Sequence, residues 1–170
     1  SNANLVMVTS TREGEGKTFN LAFSLAAERD HSVILIDADP AKSSVAQYLQ
    51  LKVELGLIDL LQDDTLAPED ALLATSIEGL SILPAGRHHA LSAELFASDR
   101  MGALLRAVCV GAPHGIVILD APPVLVTSEP SALARHVDQT VLVVEADRTN
   151  RVGDHRGSEP DRHLPAHRTG

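Results

Sequence analysis

Val8-Thr9-Ser10-Thr11-Arg12-Glu13-Gly14-Glu15-Gly16-Lys17-Thr18 follows the apolar run Leu5-Val6-Met7-Val8 and opens a helical pattern over residues 19–27. An apolar strand, a glycine-bearing loop ending in Gly-Lys-Thr, and a helix make the context in which a loop binds phosphate. Loop amides and the first turn of the helix point N–H groups at an anion, and the helix dipole adds positive potential. In such a loop Lys17 reaches the outer phosphates and the Thr18 hydroxyl ligates Mg²⁺. The stretch predicts binding of a nucleoside triphosphate. Thr11 stands where the pattern G-x-x-x-x-G-K-[S/T] has its first glycine, so the loop alone leaves open a glycine-rich turn with no ligand.

Two further segments narrow that choice. Ser32-Val33-Ile34-Leu35-Ile36-Asp37-Ala38-Asp39-Pro40 reads as a buried parallel strand ending in two carboxylates one residue apart. In doubly wound sheets ligands sit at the carboxyl ends of strands, so Asp37 and Asp39 arrive at the same edge as the phosphate loop. Their alternative role is to cap a turn before Pro40. Gly115-Ile116-Val117-Ile118-Leu119-Asp120-Ala121-Pro122-Pro123 repeats the pattern. Asp120 ends an apolar strand at the place where phosphate-loop proteins hold the carboxylate behind Mg²⁺.

Composition agrees with one α/β domain. The 170 residues suffice for a real core, and at 44% hydrophobic but 2% aromatic that core must be built from Leu, Val, Ile and Ala. The single cysteine, Cys109, has no internal partner, which points to a reducing, cytoplasmic compartment, and it reads as a small buried hydrophobe. There is no apolar run of transmembrane length and no secretory leader. Net charge is −9, which disfavours nucleic acid as a partner, because nonspecific affinity for it comes from basic patches.

Strands are expected near residues 5–9, 33–37, 80–84, 116–120 and 140–145. Helices are expected near 17–29, 43–49, 57–62, 68–74, 92–109 and 129–136. That alternation implies a parallel sheet with right-handed crossovers and helices on both faces. Ser1-Asn2-Ala3 reads as a remnant of an expression tag, residues 4–149 as the folded domain, cut short at its C-terminal end, and 150–170 as a polar, flexible tail. In the tail four arginines face three acids, a charge of +1, which leaves −10 on the rest of the chain. His155, His163 and His167 match no ordinary zinc spacing.

Taken together, these residues resemble the bacterial tyrosine kinases that use a phosphate loop instead of the eukaryotic kinase fold. The likeness is strongest to the autokinases of exopolysaccharide export and exosortase systems, and it covers residues 5–149. It rests on Gly14-Glu15-Gly16-Lys17-Thr18 with Asn20-Leu21-Ala22, on Leu35-Ile36-Asp37-Ala38-Asp39, and on Gly56-Leu57-Ile58-Asp59-Leu60-Leu61. It continues through Leu83-Pro84-Ala85-Gly86, Ser92-Ala93-Glu94-Leu95, Asp120-Ala121-Pro122-Pro123 and Val143-Val144-Glu145-Ala146-Asp147-Arg148-Thr149.

The resemblance implies a P-loop NTPase fold, a mostly parallel, doubly wound sheet between two helical layers. It implies ATP-dependent tyrosine (auto)phosphorylation that regulates exopolysaccharide synthesis and export, with ATP/ADP and Mg²⁺ as cofactors. Arg12, Glu13, Gly14, Glu15, Gly16, Lys17, Thr18 and Phe19 would contact the nucleotide. Lys17, Asp37 and Asp39 would be catalytic, with Asp37 approaching the tyrosine hydroxyl or the metal. Thr18, Asp37, Asp39 and Asp120 would surround the metal, Asp39 through water. The implied partner is a membrane-spanning polysaccharide co-polymerase that would hold the kinase at the inner membrane. Self-association is also compatible with the resemblance.

Two departures stand out. Kinases of this kind carry a C-terminal tyrosine cluster, but the one tyrosine here is Tyr48, in a helical pattern. The acidic pair is ordinarily followed two residues later by arginine, where this chain has Ala41. Two alternatives therefore stay open. Partition and division-site ATPases share the fold and use nucleotide to switch a dimer, and Arg12 occupies the place of their signature lysine. The chain could also bind nucleotide yet be catalytically incompetent.

Overall fold

In the computed structural model the described residues are 4–11, 16–28, 32–42, 45, 49–50 and 52–144. Among them six strands form one sheet: β1 (Asn4–Ser10), β2 (Val33–Asp37), β3 (Leu73–Ala74), β4 (Leu80–Leu83), β5 (Ile116–Asp120) and β6 (Gln139–Val143). Their order is β3-β4-β2-β5-β1-β6, and every neighbouring pair is parallel except β3 with β4. Central strands are covered on both faces, which is why β2 and β5 read as unbroken aliphatic runs.

The helices are α1 (Lys17–Ala26), α2 (Leu57–Gln62), α3 (Pro68–Ala71), α4 (Ser92–Ala97), α5 (Asp99–Gly111) and α6 (Glu129–Ala134). Successive strand residues point to opposite faces, so the sheet divides the core in two. Val33, Leu35 and Ile118 pack with Ala22 and Ala26 of α1. Ile34, Ile36, Val117 and Leu119 pack on the other side with Leu57, Phe96, Met101, Leu105 and Leu133 from α2, α4, α5 and α6. The result is the expected three-layer α/β/α arrangement.

Three expectations need correction. The helix expected at 68–74 ends at Ala71, and Leu73–Ala74 instead pairs antiparallel with β4, so the sheet is mixed at that edge. The cause is local: Thr75 Oγ1 accepts from Ile77 N, and Gly79 at φ 79° closes a tight turn that folds the chain back as a hairpin. The helix expected at 92–109 is two helices. Ser98 adopts extended backbone between them, its hydroxyl donating to Leu95 O at 2.6 Å and accepting from Met101 N at 3.3 Å. That is the behaviour of an N-cap serine, which ends one helix as it starts the next. Helix 129–136 is shorter, ending at Ala134. Most of the helix expected at 43–49, the end of the last strand at Glu145, Tyr48 and the 150–170 tail lie outside the described residues.

The site-bearing edge is braced by a close backbone approach. Gly56, before α2, lies so near the β4 exit that an added Cβ would stand 2.2 Å from Gly86 N and 2.6 Å from Pro84 O. Leu57 N donates to Pro84 O and Ile58 N to Ala85 O. Gly56 N donates to Asp59 Oδ2 at 2.9 Å, and Arg87 pairs with the same carboxylate.

Candidate active site

β1, β2 and β5 end side by side. Asp37 is the register partner of Asp120, and Val8 pairs with Asp120 on the other side. The residue after β1 opens the phosphate loop, so strand order alone brings the loop and both strand-end carboxylates to one edge. Ala38 N donates to Asp120 O and Ala121 N to Val8 O, carrying the sheet bonding past the last paired residues.

Gly16 N-caps α1 with left-handed backbone, φ 73° and ψ 4°. That conformation lets the loop turn sharply into the helix and is nearly free only for glycine. Among the described residues no side chain caps the helix and its first turn carries no acid, so its first N–H groups and the dipole are available to an anion. Lys17 is exposed at the first helical position, and Thr18 is buried beneath it. Thr18 Oγ1 donates to Asp120 Oδ1 at 2.6 Å. That bond aims the hydroxyl lone pairs away from the carboxylate, toward the space in front of the helix.

Asp37 is 1% exposed. Its Oδ1 accepts from Asp39 N at 3.0 Å, while Asp39 Oδ1 accepts from Lys42 N at 3.1 Å. Both aspartates therefore also make the turn-capping bonds named as their alternative role, while standing at the strand end. Burial pushes the Asp120 carboxyl up to about 6, the Thr18 hydroxyl opposes the shift, and the charge of Asp39 adds to it. Asp39 is also raised, chiefly by burial and further by the charge of Glu129, against the N–H groups of Lys42 and Ala41. A buried carboxylate crowded by others has the electrostatics of a site built for a cation.

Lys17, Thr18, Asp37, Asp39 and Asp120 are thus brought to one edge, with Phe19 half-buried in the first turn of α1. Arg12, Glu13, Gly14 and Glu15 lie outside the described residues. Among the described residues no three carboxylates, imidazoles or thiols converge closely enough to chelate a metal by themselves. A divalent cation here would draw most of its ligands from phosphate oxygens and water, as Mg²⁺ in nucleotide sites does.

Two polar residues at this edge, Ser92 of the Ser92-Ala93-Glu94-Leu95 motif and Glu129, are not among the expected site residues. Ser92, at the start of α4 and 6% exposed, donates to Glu129 Oε1 at 2.9 Å, at the start of α6. Burial favours the neutral form of Glu129. Its own N–H, the Ser92 hydroxyl, the Thr127 hydroxyl and the Ser128 N–H outweigh that and hold the carboxyl below its ordinary range. The nearness of Ser92 to Glu129 depends on strand order, which spacing along the chain does not reveal.

No family model matches the chain. It is similar to the tyrosine-protein kinase YwqD of Bacillus subtilis, 34% identical over 149 residues that make up 86% of this chain and 61% of that protein. Two longer relatives, likewise named as tyrosine kinases, are spanned over only 20% of their length. Among solved structures, the VpsO kinase domain superposes with a TM-score of 0.77 at 33% identity, over 87% of this chain and 72% of that one. The kinase domain of the Escherichia coli tyrosine kinase ETK gives a TM-score of 0.73 at 28% identity, over 83% of this chain and 55% of that one.

Proposed function

The chain belongs to the bacterial P-loop tyrosine kinases, and on that footing we propose that it transfers the terminal phosphoryl group of ATP to protein tyrosine. The observation that carries the reading is the Thr18–Asp120 bond beside the uncapped start of α1, with Asp37 in register on the next strand. That arrangement suits a Mg²⁺-bound triphosphate better than a neutral ligand. A Mg²⁺ held near Thr18, Asp37 and Asp120 would supply positive charge that neutralises the phosphates.

Each residue then has a task. The α1 N–H groups and Lys17 hold the phosphates, and Gly16 supplies the turn that aims them. Thr18 offers its hydroxyl to the metal, and Asp120 orients that hydroxyl from behind. Asp37 and Asp39 stand on the acceptor side, where a carboxylate orients the incoming tyrosine hydroxyl and accepts its proton late. Arg12, Glu13, Gly14 and Glu15 complete the loop and Phe19 borders the nucleotide, as their place in the motif suggests. Residues 4–149 form the catalytic domain in this reading. Exopolysaccharide synthesis and export is the process it serves, with a membrane-spanning co-polymerase as partner and a peripheral place at the inner membrane. Among the described residues no helix is long and apolar enough to cross a membrane.

The test is Mg²⁺-ATP-dependent phosphotyrosine formation in an added tyrosine peptide. Lys17→Met should lower it by at least ~100-fold, as losing a charge stabiliser of the transition state does. ATP hydrolysis by the wild type with no phosphotyrosine under any acceptor would overturn the kinase reading in favour of a nucleotide switch. Binding of nucleotide with neither reaction would mark a binding-only domain.

A further inference from the structure

The motif Ser92-Ala93-Glu94-Leu95 lies outside the phosphate-loop motif, and its serine is among the few buried polar residues of the described chain. The reason lies in the order of the strands. β2 lies between β4 and β5, so the chain leaving β4 and the chain leaving β5 flank the Asp37–Asp39 turn from either side. The first of these runs into α4 at Ser92, the second into α6 at Glu129, and the two residues meet at 2.9 Å. This hydrogen bond therefore closes a bracket around the end of β2.

The segment it anchors is residues 121–128. Its front is tied to β1, with Thr9 Oγ1 donating to Pro122 O at 2.6 Å and Val124 N to Ser10 O at 2.9 Å. It then presents Val124, Leu125 and Val126 to solvent. Its back carries Thr127, whose buried hydroxyl lies near the Glu129 carboxylate without a full hydrogen bond. Val126 N and Thr127 N donate to Pro123 O within the segment, and Ser92–Glu129 is the side-chain bond that joins its back to the β4 exit.

We propose that Ser92 and Glu129 are positioning residues for the acceptor side of this site: their hydrogen bond ties the β4 and β5 exits together across the end of β2 and fixes segment 121–128 beside Asp39. The inference rests on the kinase reading for its kinetic consequence but not for its structural one. Neither residue belongs to the phosphate-loop motif. They act through the placement of Asp39 and of the rim that an acceptor peptide crosses.

Ser92→Ala and Glu129→Ala should raise the KM for an acceptor tyrosine peptide about five- to tenfold, while the KM for ATP stays within about twofold. Glu129→Gln keeps an oxygen that accepts from Ser92, and Ser92→Thr keeps the hydroxyl, so both should restore acceptor KM to within about twofold. The Ser92→Ala, Glu129→Ala double variant should be no worse than either single one, because both break the same bond. Amide hydrogen exchange, read on the same variants, should quicken in 121–128 and not in β5. Unchanged exchange in that segment, or equal rises in the KM for ATP and for acceptor, overturns the proposal. If the wild type makes no phosphotyrosine the kinase reading fails by itself, and the exchange pattern with the Gln and Thr rescues still decides the bracket.

Discussion

Thr18 and Asp120 are 102 residues apart in the chain and 2.6 Å apart in space, hydroxyl to carboxylate, joining the first turn of α1 to the end of β5. The Thr18 hydroxyl donates its hydrogen to Asp120, which would leave its oxygen lone pairs for a cation. Removing the partner behind a metal ligand commonly costs 10–100-fold in metal affinity. Asp120→Asn should accordingly weaken Mg²⁺-ATP binding by about 10–100-fold by calorimetry, and Thr18→Ala by a similar factor. Their double variant should lose less than the product of the two, because each single change already breaks the same unit.

The Asp120 carboxyl, raised by burial from 3.8 to about 6, makes the nucleotide-free domain sensitive to pH. Between these values the folded state holds a proton that the unfolded state has released. Stability is therefore greatest below about pH 4 as far as this group is concerned, and falls by about 3 kcal/mol as pH rises through 6. Asp39, also raised, contributes in the same direction. Denaturant unfolding at pH 4.5 and pH 7 should reveal the slope, and Asp120→Asn should flatten it. A wild-type protein more stable at pH 7 than at pH 4.5, with no change in that difference on Asp120→Asn, would contradict the assignment.

Gly56→Ala should prevent folding or destabilise by about 3 kcal/mol or more. The added methyl meets three backbone atoms within 2.6 Å, and backbone cannot swing aside as a side chain can. Gly111→Ala, by contrast, meets nothing within 4 Å at the end of α5. It should leave the melting temperature unchanged or raise it slightly, since Ala favours helix over Gly. Thermal melts of the two single variants separate a lack of space from a mere preference for glycine.

Arg100 closes the C-terminal end of α2. Its Nε and Nη2 donate to Leu60 O at 2.9 and 2.6 Å, and Nη2 also reaches Asp63 O. A guanidinium is suited to this, because one planar fork serves several orphaned carbonyls at a helix end. Arg100→Ala should cost ~1–3 kcal/mol and lower the melting temperature by several degrees. Arg100→Lys should recover only part of the loss, since a single ammonium cannot copy the fork.

Much of this fold was legible in the chain. Val33 to Ile36 and Ile116 to Leu119 read as central strands because aliphatic runs with no polar alternation are stable only when covered on both faces. Two of the three corrected boundaries turned on single hydroxyls. Ser98 spends its side chain on the backbone and splits a helix whose hydrophobic period continues through it. Thr75 does the same at the hairpin that turns an expected helical end into a strand. Periodicity reports which face is apolar; it does not report where a hydroxyl outbids the next helical bond.

By itself the sequence determined the chemistry available to this protein: a Gly-Lys-Thr turn opening a helix, and three aspartates each delivered by an apolar strand or its exit. Those signals are local, because a strand's direction and its last residue are written in a few consecutive positions. The tertiary structure decided which of these groups meet. Asp120 reaches Thr18, and Ser92 reaches Glu129, only because β5 lies between β1 and β2, and β2 between β4 and β5. Strand order is a property of the whole chain's packing, and no short stretch of residues encodes it.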